Sequence, residues 1–235
     1  MRSLEIALSE VHMSKKQKKG FYEKYIKVPQ DMFLAALALV LLSPVLFVIA
    51  LLVRVKLGAP VIYKQERAGK DGKAFCMYKF RTMSNARDAE GNLLPDEQRL
   101  DHFGRVLRST SLDELPSLWN VVCHKIALVG PRCLYIRYND RYNARQGRRL
   151  EVLPGITGLA QINGRNAISW ETKFEYDVQY VDHITFIGDW KILFKTIGKV
   201  IKREGISSAT SVTMEEFMGT KTEIMTPKTE ILVHE

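Results

Sequence analysis

Two adjacent carboxylates, Asp113 and Glu114, are the residues of this sequence whose type and spacing point most directly to chemistry. They lie within residues 111–120, Ser-Leu-Asp-Glu-Leu-Pro-Ser-Leu-Trp-Asn. A simple anion-binding module needs cations but has no need of paired carboxylates in a basic site. The combination therefore indicates catalysis on an anionic substrate. Three arginines flank the pair along the chain: Arg108, Arg132 and Arg165.

The same carboxylates also have a purely structural interpretation. Ser111 followed three residues later by Glu114 fits a capping box, in which both side chains bind free N–H groups at a helix start. Acidic residues near the positive end of a helix dipole are favourable by about 0.3–1 kcal/mol. The pattern predicts a short helix that begins at the pair and ends near Cys123-His124. The local sequence leaves both interpretations open.

An uncharged apolar run lies upstream of the acidic pair and is the candidate membrane anchor of the chain. Residues 32–53, MFLAALALVLLSPVLFVIALLV, would extend roughly 33 Å as a helix, about one hydrocarbon thickness. Ser43-Pro44 interrupts the run, and proline inside a helix removes a hydrogen bond and produces a kink. Both flanks are basic, so a straight span would put one of them on the wrong side of a membrane. We expect a re-entrant helix broken at Ser43-Pro44, with a kinked span as the alternative.

The middle of the chain predicts a hairpin and an arginine-rich segment. Residues 60–64 and 74–80 favour strands and flank the turn Gly69-Lys-Asp-Gly72, with Lys79 and Arg81 along the second strand. Residues 84–101 are polar and predict a loop. Arginines interleaved with tyrosines over residues 134–151 are typical of an amphipathic helix that faces solvent or a membrane surface.

Apolar spacing predicts two further helices, over residues 170–181 and 189–203. We expect weak order in the tail beyond Ser207. Composition adds that the 235 residues suffice for one sizeable domain plus an appendage. The net charge of +9 favours an anionic partner, whether nucleic acid, a phospholipid surface or a phosphorylated substrate. Three scattered cysteines suit a reducing compartment.

Five motifs occur in unbroken order over residues 22–220: Gln65-Glu-Arg67-Ala-Gly69, Tyr78-Lys-Phe-Arg-Thr-Met83, Leu107-Arg-Ser-Thr-Ser-Leu-Asp113-Glu114-Leu-Pro, Val129-Gly-Pro-Arg132 and Pro154-Gly-Ile-Thr-Gly-Leu-Ala-Gln-Ile-Asn-Gly-Arg165. Together they resemble the bacterial sugar transferase family, the monotopic phosphoglycosyl transferases that load a sugar phosphate onto polyprenyl phosphate. The chain is similar to the small members that consist of the catalytic core.

The resemblance implies a helix-rich, mixed α/β fold and a monotopic protein of the inner membrane, with its catalytic domain facing the cytoplasm. It implies a basic segment at residues 1–30, a re-entrant membrane helix at 31–54 broken at Ser43-Pro44, a catalytic domain at 55–206 and a tail at 207–235. The implied partners are a UDP-sugar, undecaprenyl phosphate and the phospholipid membrane, with no nucleic acid. A homodimer or pathway glycosyltransferases are further candidate partners.

The resemblance also implies a mechanism and a set of site residues. Asp113 would be the nucleophile and form an aspartyl-phosphosugar intermediate with release of UMP, with Glu114 beside it. Mg²⁺ would bind at Asp113 and Glu114. Short stretches at 163–170 and 212–217 resemble members that act on UDP-diacetylbacillosamine; another N-acetylated amino sugar is the alternative donor. The implied substrate-binding residues are Arg108, Arg132 and Arg165 at the diphosphate or uridine, with Lys79, Arg81 and Asp177.

Two positions depart from the family pattern. Lys125 stands where an acid is usual, and Cys133 where a second proline follows Val-Gly-Pro-Arg. A charge reversal so close in sequence to Arg132 puts the conformation of that loop in question. Two alternatives to an active enzyme therefore remain: a catalytically weakened relative that serves as an assembly partner, and a membrane-anchored module that binds anionic ligands.

Overall fold

A computed structural model describes residues 19–164, 167–202 and 216–220. The described part of the chain is a helix-rich mixed α/β fold, as predicted. It contains two small sheets: an antiparallel pair, β1 with β2, and a parallel pair, β3 with β4. The strands are β1 Ile62–Ala68, β2 Ala74–Phe80, β3 Ala127–Val129 and β4 Gly155–Thr157. The α-helices are α1 Lys27–Leu41, α2 Ser43–Lys56, α3 Asp96–Arg99, α4 His102–Ser109, α5 Leu118–Val122, α6 Ala144–Gly147, α7 Leu159–Ile162, α8 Trp170–Asp182 and α9 Phe186–Lys202.

The predicted break in the apolar helix is confirmed. After a π-helical turn at Tyr22–Ile26, α1 ends at Leu41, α2 starts at Ser43, and the two helical segments differ in direction by 64°. The Ser43 hydroxyl donates to the carbonyl of Val40 at 2.8 Å, and Pro44 lies in the first turn of α2, where its missing N–H costs little. No single helix among the described residues is long and apolar enough to cross a bilayer, whereas this bent pair qualifies by length and composition.

One face of the bent helix packs on the body and the other is exposed. Ala35 of α1 belongs to a core cluster with Phe75 and Val121, and Val53 of α2 belongs to a second cluster with Phe80. The outward face is apolar and solvent-accessible, with exposed fractions of 43–75% for Phe33, Leu37, Val40, Phe47, Leu51 and Val55. Soluble monomers rarely expose so much contiguous apolar surface.

The predicted hairpin is confirmed, although β1 runs over Ile62–Ala68 rather than residues 60–64; Ile62 lies opposite Phe80 and Ala68 opposite Ala74. Its turn is a short 3-10 helix at Lys70–Gly72. Asn120 of α5 fixes this hairpin to the neighbouring helix. Its buried amide donates to the carbonyl of Cys76 at 2.8 Å and accepts from the N–H of Tyr78 at 3.1 Å, so it replaces a strand partner for β2.

The parallel pair β3 and β4 brings two glycine-containing motifs into backbone contact. A Cβ on Gly155 would lie 2.1 Å from the amide nitrogen of Gly130, and one on Gly158 would lie 2.1 Å from the carbonyl oxygen of Gly130. Only glycine allows the two backbones to approach this closely. This contact supports the arginine loop, by which we mean Val129-Gly130-Pro131-Arg132.

The amphipathic helix predicted over residues 134–151 is wrong. That segment forms a 3-10 helix at Ile136–Arg141, the one-turn α6 and a second 3-10 helix at Arg148–Glu151. Its arginines pair with acids from distant parts of the chain, which fixes the side chains without helical periodicity. The pairs are Arg137 and Arg141 with Glu216, Arg145 with Glu175, Arg148 with Asp182, and Arg149 with Asp177.

The two C-terminal helices are confirmed, although α9 begins three residues earlier than predicted, at Phe186. The prediction of weak order in the tail does not hold for residues 216–220. Phe217 there is only 2% exposed and packs against Phe174, with ring centroids 4.9 Å apart. The rest of the tail lies outside the described residues.

Candidate active site

The acidic pair, Asp113 and Glu114, lies on a 3-10 helix at Leu112–Ser117 that leads directly into α5. Leu115 packs against two core clusters, one that contains Ala35 of α1 and one that contains Val53 of α2, so this turn is anchored in the core to which the bent helix also contributes. The predicted capping box is wrong. Ser111 adopts a left-handed conformation with φ of 58°, and its side chain makes no capping hydrogen bond. The backbone carbonyl of Ser111 accepts the Glu114 N–H instead, at 3.2 Å.

Glu114 is held by two cations that come from different elements. Lys79 of β2 places its Nζ 2.7 Å from Oε1, and Arg132 of the arginine loop places a guanidinium nitrogen 2.6 Å from the same oxygen. Burial alone would raise the pKa of Glu114, but the attraction of Arg132 and Lys79 outweighs it and holds the pKa well below its ordinary value. Glu114 is therefore ionised, and it orients both cations.

Asp113 is in a different state from its neighbour. Its side chain is 8% exposed and accepts no hydrogen bond from the described residues. Burial, reinforced by the negative charge of Glu114, raises the pKa of Asp113 from 3.8 to about 6. Lys79, Arg108 and Arg132 act in the opposite direction. Asp113 is thus largely ionised at neutral pH, although none of the described residues donates a hydrogen bond to it.

The cations around the pair make the site suited to an anion. Arg108, at the end of α4, is held by a hydrogen bond from its Nε to the Thr82 hydroxyl at 3.0 Å. The Arg132 side chain is 43% exposed, so it is available to a ligand while it also binds Glu114. Lys173 of α8 lies within the electrostatic influence of Arg132, and burial together with that charge lowers its pKa to about 8. Such a cluster favours groups that carry several negative charges, such as a diphosphate.

The structure brings together five of the residues predicted from sequence: Asp113, Glu114, Lys79, Arg108 and Arg132. Their roles in substrate binding and catalysis stay predictions. Arg165 falls outside the described residues.

Arg81 is located elsewhere, at the end of α2. Its guanidinium donates to the carbonyl of Ala59 at 2.9 Å and to that of Leu57. These bonds satisfy carbonyls at the C-terminal end of the helix, where a cation is favourable. The side chain is only 5% exposed. The observed contacts of Arg81 are structural, and they connect the bent helix to the strand that carries Lys79.

Asp177 is connected to the acidic pair indirectly, through Arg149 and the arginine loop. Its Oδ2 accepts from Nε of Arg149 at 3.0 Å, deep in the protein. Arg149 also donates to the backbone carbonyl of Arg132 at 2.5 Å. Asp177 therefore supports the arginine loop through Arg149. Sequence reasoning missed both Arg149 and Asn120, although a lone amide in the apolar turn Leu-Trp-Asn-Val-Val was a signal for the latter.

The two departures from the family pattern leave the arginine loop in place. Lys125 is exposed in the turn between α5 and β3, and Cys133 is buried with its sulfur 3.4 Å from that of Met77. The contact between Arg132 and Glu114 is formed in their presence.

No group of three or more His, Cys, Asp or Glu side chains capable of holding a metal occurs among the described residues. This does not exclude the pair as a magnesium site, because Mg²⁺ is commonly held by one or two protein carboxylates and completed by water and substrate phosphates. Asp113, whose oxygens are free of hydrogen bonds from the described residues, and the adjacent Glu114 fit that requirement.

Comparison with known proteins confirms the resemblance drawn from the motifs. The profile of the bacterial sugar transferase family matches residues 22–203. The uncharacterized sugar transferase EpsL of Bacillus subtilis (strain 168) is 57% identical over 175 residues, which cover 74% of this chain and 86% of that protein.

Two relatives have names that state a substrate. The UDP-galactose-lipid carrier transferase of Erwinia amylovora is 38% identical over 77% of this chain and 42% of its own length. The UDP-glucose:undecaprenyl-phosphate glucose-1-phosphate transferase of Klebsiella pneumoniae is 39% identical over 72% of this chain and 39% of its own length. The aligned region therefore spans about two fifths of each of these longer proteins.

Proposed function

This chain belongs to the bacterial sugar transferase family, and we propose that it is a phosphoglycosyl transferase that moves a sugar 1-phosphate from a UDP-sugar to undecaprenyl phosphate. The observation that carries the proposal is the contrast within the acidic pair. Glu114 is fixed by Lys79 and Arg132, whereas Asp113 is buried and accepts no hydrogen bond from the described residues. The named relatives from Erwinia and Klebsiella support the class of donor and acceptor.

We assign the nucleophile to Asp113. One of its oxygens attacks the sugar-proximal phosphorus, the bond from that phosphorus to the UMP oxygen breaks, and UMP leaves with the electron pair. An oxygen of undecaprenyl phosphate then attacks the same phosphorus and releases the Asp113 carboxylate, which leaves a lipid-linked diphosphate sugar. Covalent catalysis suits this transfer because it allows a soluble donor and a membrane lipid to react in separate steps.

The surrounding residues stabilise charge and orient the donor. Arg132 and Lys79, already directed at the acidic pair by Glu114, are pre-arranged to neutralise charge that builds on the phosphoryl oxygens. Arg108 adds a third cation that favours the ionised form of Asp113. Mg²⁺ bound at Asp113 and Glu114 would supply further charge neutralisation at the diphosphate. Arg165 is proposed as a further contact to the diphosphate or uridine.

We place the chain on the cytoplasmic face of the inner membrane, with the bent helix entering and leaving by that face. The exposed apolar surface of α1 and α2 supports this placement, since it would be unfavourable in water. The basic residues on both sides of the apolar run suit a single, cytoplasmic side. In this arrangement the acceptor phosphate approaches at headgroup level, beside the bent helix.

For the donor we propose UDP-N,N′-diacetylbacillosamine or another UDP-linked N-acetylated amino sugar. The basis is the resemblance of residues 163–170 and 212–217 to members that use such donors. The names of the relatives from Erwinia and Klebsiella state galactose and glucose, so UDP-galactose and UDP-glucose are the informative donors for comparison.

The test is UMP release by the full chain, purified in detergent, with undecaprenyl phosphate, Mg²⁺ and a panel of UDP-sugars that contains all of these donors. We expect release with an N-acetylated amino sugar, and none with Asp113→Asn. Asp140→Asn is the matched control, because Asp140 is an exposed carboxylate on a 3-10 turn. A sugar that remains attached to the denatured protein, in the native sequence but not in Asp113→Asn, would identify the covalent intermediate. UMP release that survives Asp113→Asn would refute the mechanism.

A further inference from the structure

A buried group of charged and phenolic side chains connects three parts of the chain far from the acidic pair in sequence. The Nζ of Lys27 in α1 lies 2.5 Å from Asp189 Oδ2 in α9 and 3.3 Å from Asp31 Oδ2. Tyr22 donates to Asp189 Oδ2 at 2.8 Å. Tyr180 of α8 lies 2.9 Å from Asp189 Oδ1. We call these five residues the buried network: Tyr22, Lys27, Asp31, Tyr180 and Asp189.

The buried network is costly and is more than an ion pair. Two carboxylates share one ammonium group, and the side chains of Lys27, Asp31 and Asp189 are only 9%, 5% and 1% exposed. Removing charges from water carries a penalty that pairing often fails to offset, so a hydrophobic contact would serve stability as well or better. A second pair in the same segment, Lys19 with Glu23, joins residues four positions apart, and its lysine side chain is 51% exposed.

The network contacts the backbone of β3, the strand that runs directly into the arginine loop. Asp31 Oδ2 accepts the N–H of Leu128 at 3.2 Å. The hydroxyl of Tyr180 also lies 2.9 Å from the carbonyl oxygen of Val129, on the other side of the strand. Arg132, which binds Glu114, follows three residues after Val129. The network therefore connects α1 to the strand that precedes the arginine loop.

We propose that Lys27, Asp31 and Asp189 are positioning residues that fix the bent helix relative to the arginine loop. The inference rests on the proposed function, in which the lipid acceptor arrives beside that helix. The first half-reaction needs the donor, the acidic pair and its cations, and Glu114 and Arg149 hold Arg132 at the pair by contacts outside the network. The second half-reaction also needs the membrane-facing helix to be held in register with Asp113. Loosening the network should therefore affect transfer to the lipid more than formation of the covalent intermediate.

The experiment measures the two half-reactions separately in the full chain in detergent. UMP released in a single turnover without lipid reports the first step, and decay of the trapped sugar-protein adduct on addition of undecaprenyl phosphate reports the second. For Lys27→Gln combined with Asp189→Asn, which removes both charges but keeps hydrogen-bonding groups, we expect the first rate to stay within about threefold and the second to fall by about tenfold or more. The single variant Lys27→Arg, which retains the charge, should keep most of the native rate of transfer to the lipid.

Glu23→Gln is the matched control, since it removes the charge that pairs with the exposed Lys19 and should leave both rates unchanged. Equal losses in both half-reactions, or no loss in either, would overturn the inference. If the double variant does not fold, Asp31→Asn gives the same test, because an amide oxygen still accepts from Leu128 while the charge is lost. Failure of the proposed function is distinct: the native chain itself would then release no UMP.

Discussion

Asp113 and Asp177 are both buried aspartates that the family resemblance assigns to the site; burial raises the pKa of both, and they differ in their partners. Asp177 is 3% exposed and bound by the guanidinium of Arg149. Asp113 is 8% exposed and accepts no hydrogen bond from the described residues. A buried carboxylate with a fitted partner stabilises the fold and orients what its partner touches. A buried carboxylate to which no described residue donates a hydrogen bond, with cations nearby, has the environment that the proposed nucleophile requires.

The largest expected effect is on activity. Asp113→Asn should lower UMP release by about a thousandfold or more, as loss of a nucleophile does. Asp177→Asn should lower it by only about 10–100-fold, because it disturbs Arg132 through Arg149 and leaves the nucleophile intact. Initial rates at saturating donor measure both. Equal losses of UMP release in the two variants would contradict the assignment of the nucleophile to Asp113 alone.

The next effect is on stability and concerns Asp177. Asp177→Asn leaves Arg149 buried without its counter-charge and should reduce the free energy of unfolding by about 3–5 kcal/mol. Urea titration in detergent, followed by intrinsic fluorescence, measures it. Replacing both residues, Arg149→Met with Asp177→Leu, should recover part of the loss. A double variant as unstable as the single one would show that packing, and not the lost charge, is responsible.

In the same assay, Asp113→Asn should change the free energy of unfolding in the opposite direction and stabilise the protein. Because burial raises the pKa of Asp113 from 3.8 to about 6, the folded protein holds this proton more tightly than the unfolded chain does. Its contribution to stability is fully present below pH 3.8 and is lost as the pH rises through 6. Asp113→Asn should therefore stabilise the protein by about 1–3 kcal/mol at pH 7–8 and by little near pH 4.

The comparison at pH 4 is the internal control for that prediction. A gain of equal size at both pH values would mean that ionisation of Asp113 is not its cause. The same shift predicts that the rate of intermediate formation falls as the pH drops below about 6, where Asp113 becomes protonated.

The smallest effect concerns the backbone beside the acidic pair. Ser111 holds a left-handed conformation with φ of 58°, which costs residues with a Cβ about 1–2 kcal/mol. Ser111→Gly should raise the free energy of unfolding by about 0.5–1 kcal/mol, after the greater flexibility of glycine in the unfolded chain is subtracted. Ser169→Gly is the contrasting variant and should destabilise, because the Ser169 hydroxyl caps α8. Destabilisation by both would show that Ser111 is not strained.

The features that sequence predicted correctly are those set by neighbouring residues. Ser43-Pro44 breaks the apolar helix because proline lacks the N–H of a continuous helix, whatever surrounds it. The hairpin follows from strand-forming residues on either side of a glycine-bounded turn. Helices α8 and α9 follow from apolar spacing. The amphipathic helix at 134–151 failed because long-range ion pairs, rather than one apolar face, organise that segment.

The partners of the charged residues were decided by tertiary structure alone. Glu114 looks like a capping residue in its local sequence, yet it binds Lys79 and Arg132, which lie 35 and 18 positions away. The family resemblance assigns Arg81 and Asp177 to substrate binding, yet Arg81 binds backbone carbonyls that follow α2 and Asp177 binds a buried guanidinium. The sequence motifs show which charged residues the chain contains. Whether a carboxylate is paired or reactive depends on contacts between distant segments, because electrostatic strength is set by distance and burial in the folded chain.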